Sequence, residues 1–274
     1  MAQQAAIAAL VALMVWWSAT GAILVAVRWA DRAGGPAHGL TAACAVPLLA
    51  LGVAMVTTSA DGADLIHVYG AFLGALAVWG WIELAFLLGI ITGPERRGAP
   101  ASLRGWPRFA RAWRTVAHHE LALLAGLVLV AALTHGAASQ VAVWTYGILF
   151  GARILAKLNL FLGVPRINTE FLPSRLAHLE SYFRAGPVTP FFPLTITLLT
   201  CATAALAWQV PGAGTFPEVV AASLLASLAA LALIEHWLMV LPLPDARLWR
   251  WMLPAARPLR TETKSIHERR RHGL

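Results

Sequence analysis

The sequence predicts an all-α integral membrane protein with seven transmembrane helices, a periplasmic amino terminus, a cytoplasmic carboxyl terminus and short cytoplasmic amphipathic helices. Three observations predict it. Of 274 residues, 59% are hydrophobic and only 12% charged, against about 45–50% and about 25% in an ordinary soluble domain. Seven runs approach the roughly 20 apolar residues that a bilayer-spanning helix needs. Every one of the 21 Lys and Arg residues falls on one side of those runs.

The spans are read as 5–27, 38–58, 66–92, 118–137, 139–161, 191–210 and 217–241, making a transmembrane domain of 1–244 followed by a basic tail, 245–274. The first run lacks a basic leader and a small-residue cleavage site, so it is expected to be a retained helix. Pro47 is the only proline deep within a span. Gly70 and Gly74, and again Gly147 and Gly151, have the spacing that lets helices approach closely. Packing within the bundle is the expected use, ahead of dimerisation.

Cytoplasmic loops retain Lys and Arg, and this sets the orientation. Arg28 and Arg32, the six arginines of 96–114, Arg166, Arg175, Arg184 and the tail share one side, and Arg153 and Lys157 approach it from within the fifth span. The opposite connections, 59–65, 137–139 and 211–216, hold no Lys or Arg, and the first carries Asp61 and Asp64. The basic excess, a net charge of +8, therefore belongs to the membrane edge and to its lipids, and no nucleic-acid partner is expected. Cys44 and Cys201 lie in apolar runs and read as packing residues, not a disulfide.

Two cytoplasmic connections are amphipathic. In 102–117, Leu103, Trp106, Phe109, Trp113 and Val116 recur at helical spacing opposite the arginines, the pattern of a helix lying in the interface and leading into the fourth span. In 173–185, Leu176, Leu179 and Phe183 follow Leu172 between Pro173 and Gly186-Pro187, predicting a short helix docked under the bundle. Trp16, Trp17, Trp79, Trp81 and Trp237 lie deeper than an interfacial belt. Packing is their expected role, with stacking on a planar pigment or quinone the alternative.

Ionisable groups inside a span cost roughly 2.5–3.5 kcal/mol each on insertion scales, so each needs a reason. Glu83, His119, Glu120, Arg153, Lys157, Asn159, Glu235 and His236 all fall in the cytoplasmic halves of their spans, within about 12 Å of one interface at 1.5 Å per residue. Buried ion pairs are the plain reading: Glu83 with Arg153 or Lys157, and Glu235 with another basic group. The sharper one makes a neutral His119 or His236 an axial ligand to a tetrapyrrole metal. Zinc on His118, His119 and His236 is disfavoured, because neighbours on a helix point about 100° apart. The chain has no HExxH, GxSxG, P-loop or dinucleotide motif, so no catalytic or metal residues are assigned.

The stretch from Phe150 to Pro193, FGARILAKLNLFLGVPRINTEFLPSRLAHLESYFRAGPVTPFFP, resembles the signature region of the PuhE family of purple phototrophic bacteria, also called photosynthetic complex assembly protein 2. Arg153, Lys157, Asn159, Phe161 through Pro165, Asn168, Glu170 through Pro173 and Leu176 through Phe183 carry it, with His119-Glu120 at the start of the fourth span. The resemblance implies a non-enzymatic accessory protein of the inner or intracytoplasmic photosynthetic membrane, encoded with the reaction-centre H subunit. Its role would be assembly of the reaction centre and core light-harvesting complex, through contact with their subunits or other assembly factors, or through bacteriochlorophyll supply or delivery. Segment 153–183, with Glu170, would be its partner- or pigment-binding surface. The alternatives from other classes are a membrane-embedded enzyme or pigment- or metal-binding protein built on the Glu/His cluster, and a transporter.

The charge asymmetry fixes an outcome for reporter fusions. Green fluorescent protein after residue 242 should fluoresce, and alkaline phosphatase there should be inactive; the opposite pair of results reverses the orientation.

Overall fold

A computed structural model describes residues 1–100 and 102–242; the tail 245–274 lies outside the described residues. Among the described residues the fold is all-helical, and seven helical segments, one of them made of two short helices in tandem, are long and apolar enough to cross a membrane. In chain order the helices are α1 (Ala2–Ala33), α2 (Ala37–Cys44), α3 (Val46–Ser59), α4 (Leu65–Leu87), α5 (Gly105–Leu133), α6 (Val141–Leu162), α7 (Phe191–Gln209) and α8 (Phe216–Leu238).

Several boundaries move for identifiable reasons. The second span is two helices, α2 and α3, that break at Ala45, because Pro47 has no N–H to donate back into the preceding turn. The third ends at Leu87 and not at 92. Gly89, at φ +72°, closes it: Gly89 donates to the Phe86 carbonyl and Ile90 to that of Ala85, the Schellman pair. The predicted interfacial helix and fourth span are one continuous helix, α5. Segment 173–185 holds a 3-10 helix, Ser174–Tyr182, and no α-helix. Its buried residues, Leu176, Leu179 and Tyr182, recur every third position, which suits three residues per turn better than 3.6.

Two helices form the centre. The apolar windows of α4 and α8 are 61% and 56% buried, whereas no other span exceeds 28%. Phe72 and Val78 of α4 meet Leu224 and Leu228 of α8, Leu123 and Val130 of α5, and Tyr146 of α6 in one cluster. Tyr146 donates to the Leu123 carbonyl at 3.1 Å and stands edge-on to Trp79. Gly126 makes room for it, since a Cβ there would lie 2.1 Å from the phenolic oxygen.

Two of the helix starts away from the arginines are capped by side chains. Thr215 and Glu218 form a capping box on α8, and Asp64 accepts from the His67 N–H at the start of α4. That N–H bond, with the His67 ring beside it, holds the Asp64 carboxyl below the usual carboxylate range. At the arginine-rich end, loop 88–104 lies against α5. Gly93 permits this, because a Cβ would be 2.0 Å from the Arg114 carbonyl oxygen, and Arg111 pairs with Glu95 at 3.1 Å.

The two glycine pairs have different uses. Gly74 lies backbone to backbone against α3: a Cβ would be 2.9 Å from Gly52 O and Val56 N. At Gly147 and Gly151 a Cβ would meet nothing within 4 Å. Gly74→Val should therefore lower unfolding stability in detergent by about 1–3 kcal/mol through overpacking, while Gly151→Val should change it by less than about 0.5 kcal/mol. Equal losses in a denaturant titration would overturn the packing assignment.

Candidate functional site

The polar groups gather where α4, α5 and α6 meet at the arginine-rich end. Arg153 and Lys157, one turn apart on α6, share a face, and each takes a carboxylate from a different helix. The Arg153 guanidinium donates to Glu83 Oε2 of α4 at 2.9 Å, and the Lys157 ammonium donates to Glu120 Oε1 of α5. Glu83 and Glu120 are 8% and 5% exposed, so both carboxylates are removed from solvent and require these partners. His119, fully buried, stacks on Phe86 at 4.0 Å and brings Nε2 to 3.4 Å from Glu83 Oε1. Phe86 also lies 5.7 Å from the Lys157 ammonium, within cation–π range.

Five of the nine candidate residues thus meet, and four stand apart. Asn159 faces α7, donating to Thr195 Oγ1 at 3.0 Å and to the Leu155 carbonyl. Glu170 is exposed, with Arg28 among its electrostatic neighbours. Among the described residues Glu235 takes no salt bridge; it accepts from the Trp16 indole N–H at 2.8 Å on an exposed face. His236 is 2% exposed, and its Nδ1 lies 2.7 Å from the Ala232 carbonyl. A carbonyl only accepts, so Nδ1 carries the proton and the lone pair resides on Nε2, which is buried and has no hydrogen-bond partner among the described residues. Among the described residues no three His, Cys, Asp or Glu side chains form a metal-binding group.

Above the ion pairs is a cavity of ≈ 520 Å³. Its wall is the amphipathic start of α5, through Phe109, Trp113 and Val116; its floor is Glu120, Arg153 and Lys157; its roof is the connection between α6 and α7. That connection is a strap. Val164 donates to the Arg184 carbonyl and accepts from Gly186, closing the strap on itself. Ser174 donates through Oγ and its backbone N–H to Asp31, which also meets His38. Tyr182 donates to the Arg97 carbonyl, and Arg108 donates to that of Tyr182 at 2.7 Å while lying over the Phe161 ring. The buried strap residues Leu176 and Leu179 pack on Phe86.

Sequence reasoning had no route to the cavity. The signal was present in the α5 stripe, but lipid and a neighbouring strap ask for the same apolar residues at the same spacing. The pin at Asp31 was equally hidden, since its partners lie 7 and 143 residues away.

The ion pairs give a stability prediction. Arg153→Met strands a buried carboxylate and should cost roughly 3–5 kcal/mol, whereas Glu83→Gln with Arg153→Met should recover most of it. A double-mutant cycle by denaturant titration measures the coupling, and additive losses would show that the pair does not hold α4 to α6.

The family described as "Protein of unknown function (DUF3623)" matches residues 1–260. A Rhodobacter capsulatus protein, described as "Uncharacterized 30.4 kDa protein in puhA 5'region", is 47% identical over 247 residues, which is 90% of each chain. No solved structure matches. With its whole described bundle inside the matched region, the chain belongs to the DUF3623 family.

Proposed function

We propose that this protein is an accessory factor for assembly of the photosynthetic reaction centre and core light-harvesting complex, working from an inner or intracytoplasmic membrane. The observation that carries the reading is the Rhodobacter capsulatus relative, whose description ties it to the puhA region and so to a photosynthesis-gene context. The resemblance of Phe150 to Pro193 to PuhE points the same way. In this reading the arginine-rich end faces the cytoplasm, and the strap with the start of α5 is the surface offered to incoming subunits. Trp106 and Trp113 support it, being 74% and 44% exposed beside the arginines, since Trp and Arg are enriched where proteins meet.

A role in bacteriochlorophyll supply has one specific support. The protonated Nδ1 and free Nε2 lone pair of His236 are the tautomer that an axial ligand to a tetrapyrrole metal requires. His119 fits poorly, because its ring is sandwiched against Phe86 and its Nε2 faces Glu83. The His236 Nε2 is itself buried, so for this residue to hold the pigment's metal the side chains packed over it would have to move aside.

Deleting the gene should lower reaction-centre and core-antenna absorbance in phototrophically grown membranes, and the wild-type gene should restore it. A His236→Ala gene should restore it only partly. Unchanged complex levels in the deletion strain would overturn the assembly reading, and full restoration by His236→Ala would overturn the pigment role.

A further inference from the structure

The cavity under the strap has a lining whose chemistry narrows what it accepts. Its volume, ≈ 520 Å³, lies within the roughly 300–1,000 Å³ of small-molecule sites. Aromatic rings dominate the walls: Phe86, Phe109, Trp113, Phe161 and Phe183. Rings so placed favour a flat conjugated body, through offset or edge-on contact, over a flexible chain alone.

The floor decides the polar end of the ligand. Lys157 brings a three-donor ammonium and Arg153 a five-donor guanidinium, but the carboxylates at hand take one bond from each, through Glu120 and Glu83. Arg153 Nε is sealed in protein and cannot serve a ligand, so the unused donors at the floor are those of the Lys157 ammonium and the terminal Arg153 nitrogens. The floor therefore has surplus donors and calls for oxygen acceptors. Charge, by contrast, is already balanced, two cations against Glu83 and Glu120. An anion would add an uncompensated charge to a floor already balanced and walled by apolar side chains, at a cost that a neutral carbonyl does not incur. No histidine or cysteine lines the cavity, so a metal-centred ring finds no soft axial ligand there.

We propose that this cavity is a binding site for a neutral prenylated quinone, its ring held among the aromatic side chains and a carbonyl oxygen accepting from Lys157 or Arg153. The ligand reaches the cavity from the bilayer along the amphipathic start of α5, and the strap, pinned at Asp31, Arg97 and Arg108, keeps the site open without a folding step. The inference is independent of the assembly reading: it concerns a ligand of the protein itself, and complex levels do not enter its test.

The test uses the full chain in phosphatidylcholine nanodiscs, titrated with a decyl-substituted benzoquinone and followed by quenching of tryptophan fluorescence. Saturable quenching is expected, with a smaller amplitude in Trp113→Phe. Ala112→Phe, which adds a ring to the cavity wall without removing a polar contact, should abolish saturation. Lys157→Met with Glu120→Gln, which removes both charges together, should weaken binding about tenfold by taking away a charged donor. A prenyl alcohol, apolar but without carbonyls, should compete poorly. The proposal is overturned if quenching does not saturate, if both variants bind as the wild type does, or if the prenyl alcohol competes equally, which would make the cavity a lipid groove. Displacement of the quinone by a metal-free bacteriochlorin at lower concentration would overturn it in favour of a pigment ring.

Discussion

The pairing of two carboxylates with two cations across α4, α5 and α6 is the constraint on which the arginine-rich end depends. In a low-dielectric surrounding an unpaired charge is far costlier than any single packing contact. Glu83 and Glu120 therefore dictate where α6 sits, because only one azimuth brings Arg153 to α4 and Lys157 to α5 at once. That azimuth points Tyr146, two turns earlier on α6, into the core against Leu123 and Trp79. It also exposes the donor-rich side of both cations to the space beneath the strap. One electrostatic requirement thus sets helix order, core packing and the polarity of the cavity floor together.

Much of this was legible before any coordinates. Runs of about 20 apolar residues marked seven membrane-length helices, because a bilayer leaves no other way to satisfy the backbone, and the i, i+4 spacing of Arg153 and Lys157 marked a shared face. The close approach that both glycine pairs predict is present at Gly74 and missing at Gly147 and Gly151, because small size permits a contact and does not supply the neighbour. What escaped were features in which two physical causes share one sequence pattern. An apolar stripe opposite arginines at 103–116 describes a helix on lipid and a helix under a strap equally well. In 174–182 the spacings of three and four overlap over so short a stretch that the 3-10 form could not be separated from the α form. Among the described residues the hydrogen-bond partner of Glu235 is an indole and not a basic group, because pairing depends on helix rotation, which no single segment encodes.

The strap is a second level of organisation that rests on the first. Its buried leucines pack on Phe86, the same ring that stacks on His119 and lies near Lys157. The strap and the ion pairs are thus linked through one side chain, and movement of either is felt by the other. Other strap contacts are hydrogen bonds to backbone carbonyls and to Asp31. Such bonds position a segment precisely but contribute little net stability each, about 0.5–1.5 kcal/mol. The strap is held in place by its number of pins more than by any one of them.

The arginine-rich end therefore carries two kinds of positive charge with different consequences. The arginines at 96, 97 and 104 and those of the start of α5 are mostly at the surface, where salt screens them within about 8 Å. Arg153 and Lys157 are neutralised by their own carboxylates and exert almost no long-range field. What they retain is direction: N–H groups fixed by ion pairing and aimed into an apolar cavity, where a hydrogen bond is electrostatically stronger than in water. On the readings proposed above, recruitment to this face is a matter of charge, and selection inside it a matter of hydrogen-bond geometry.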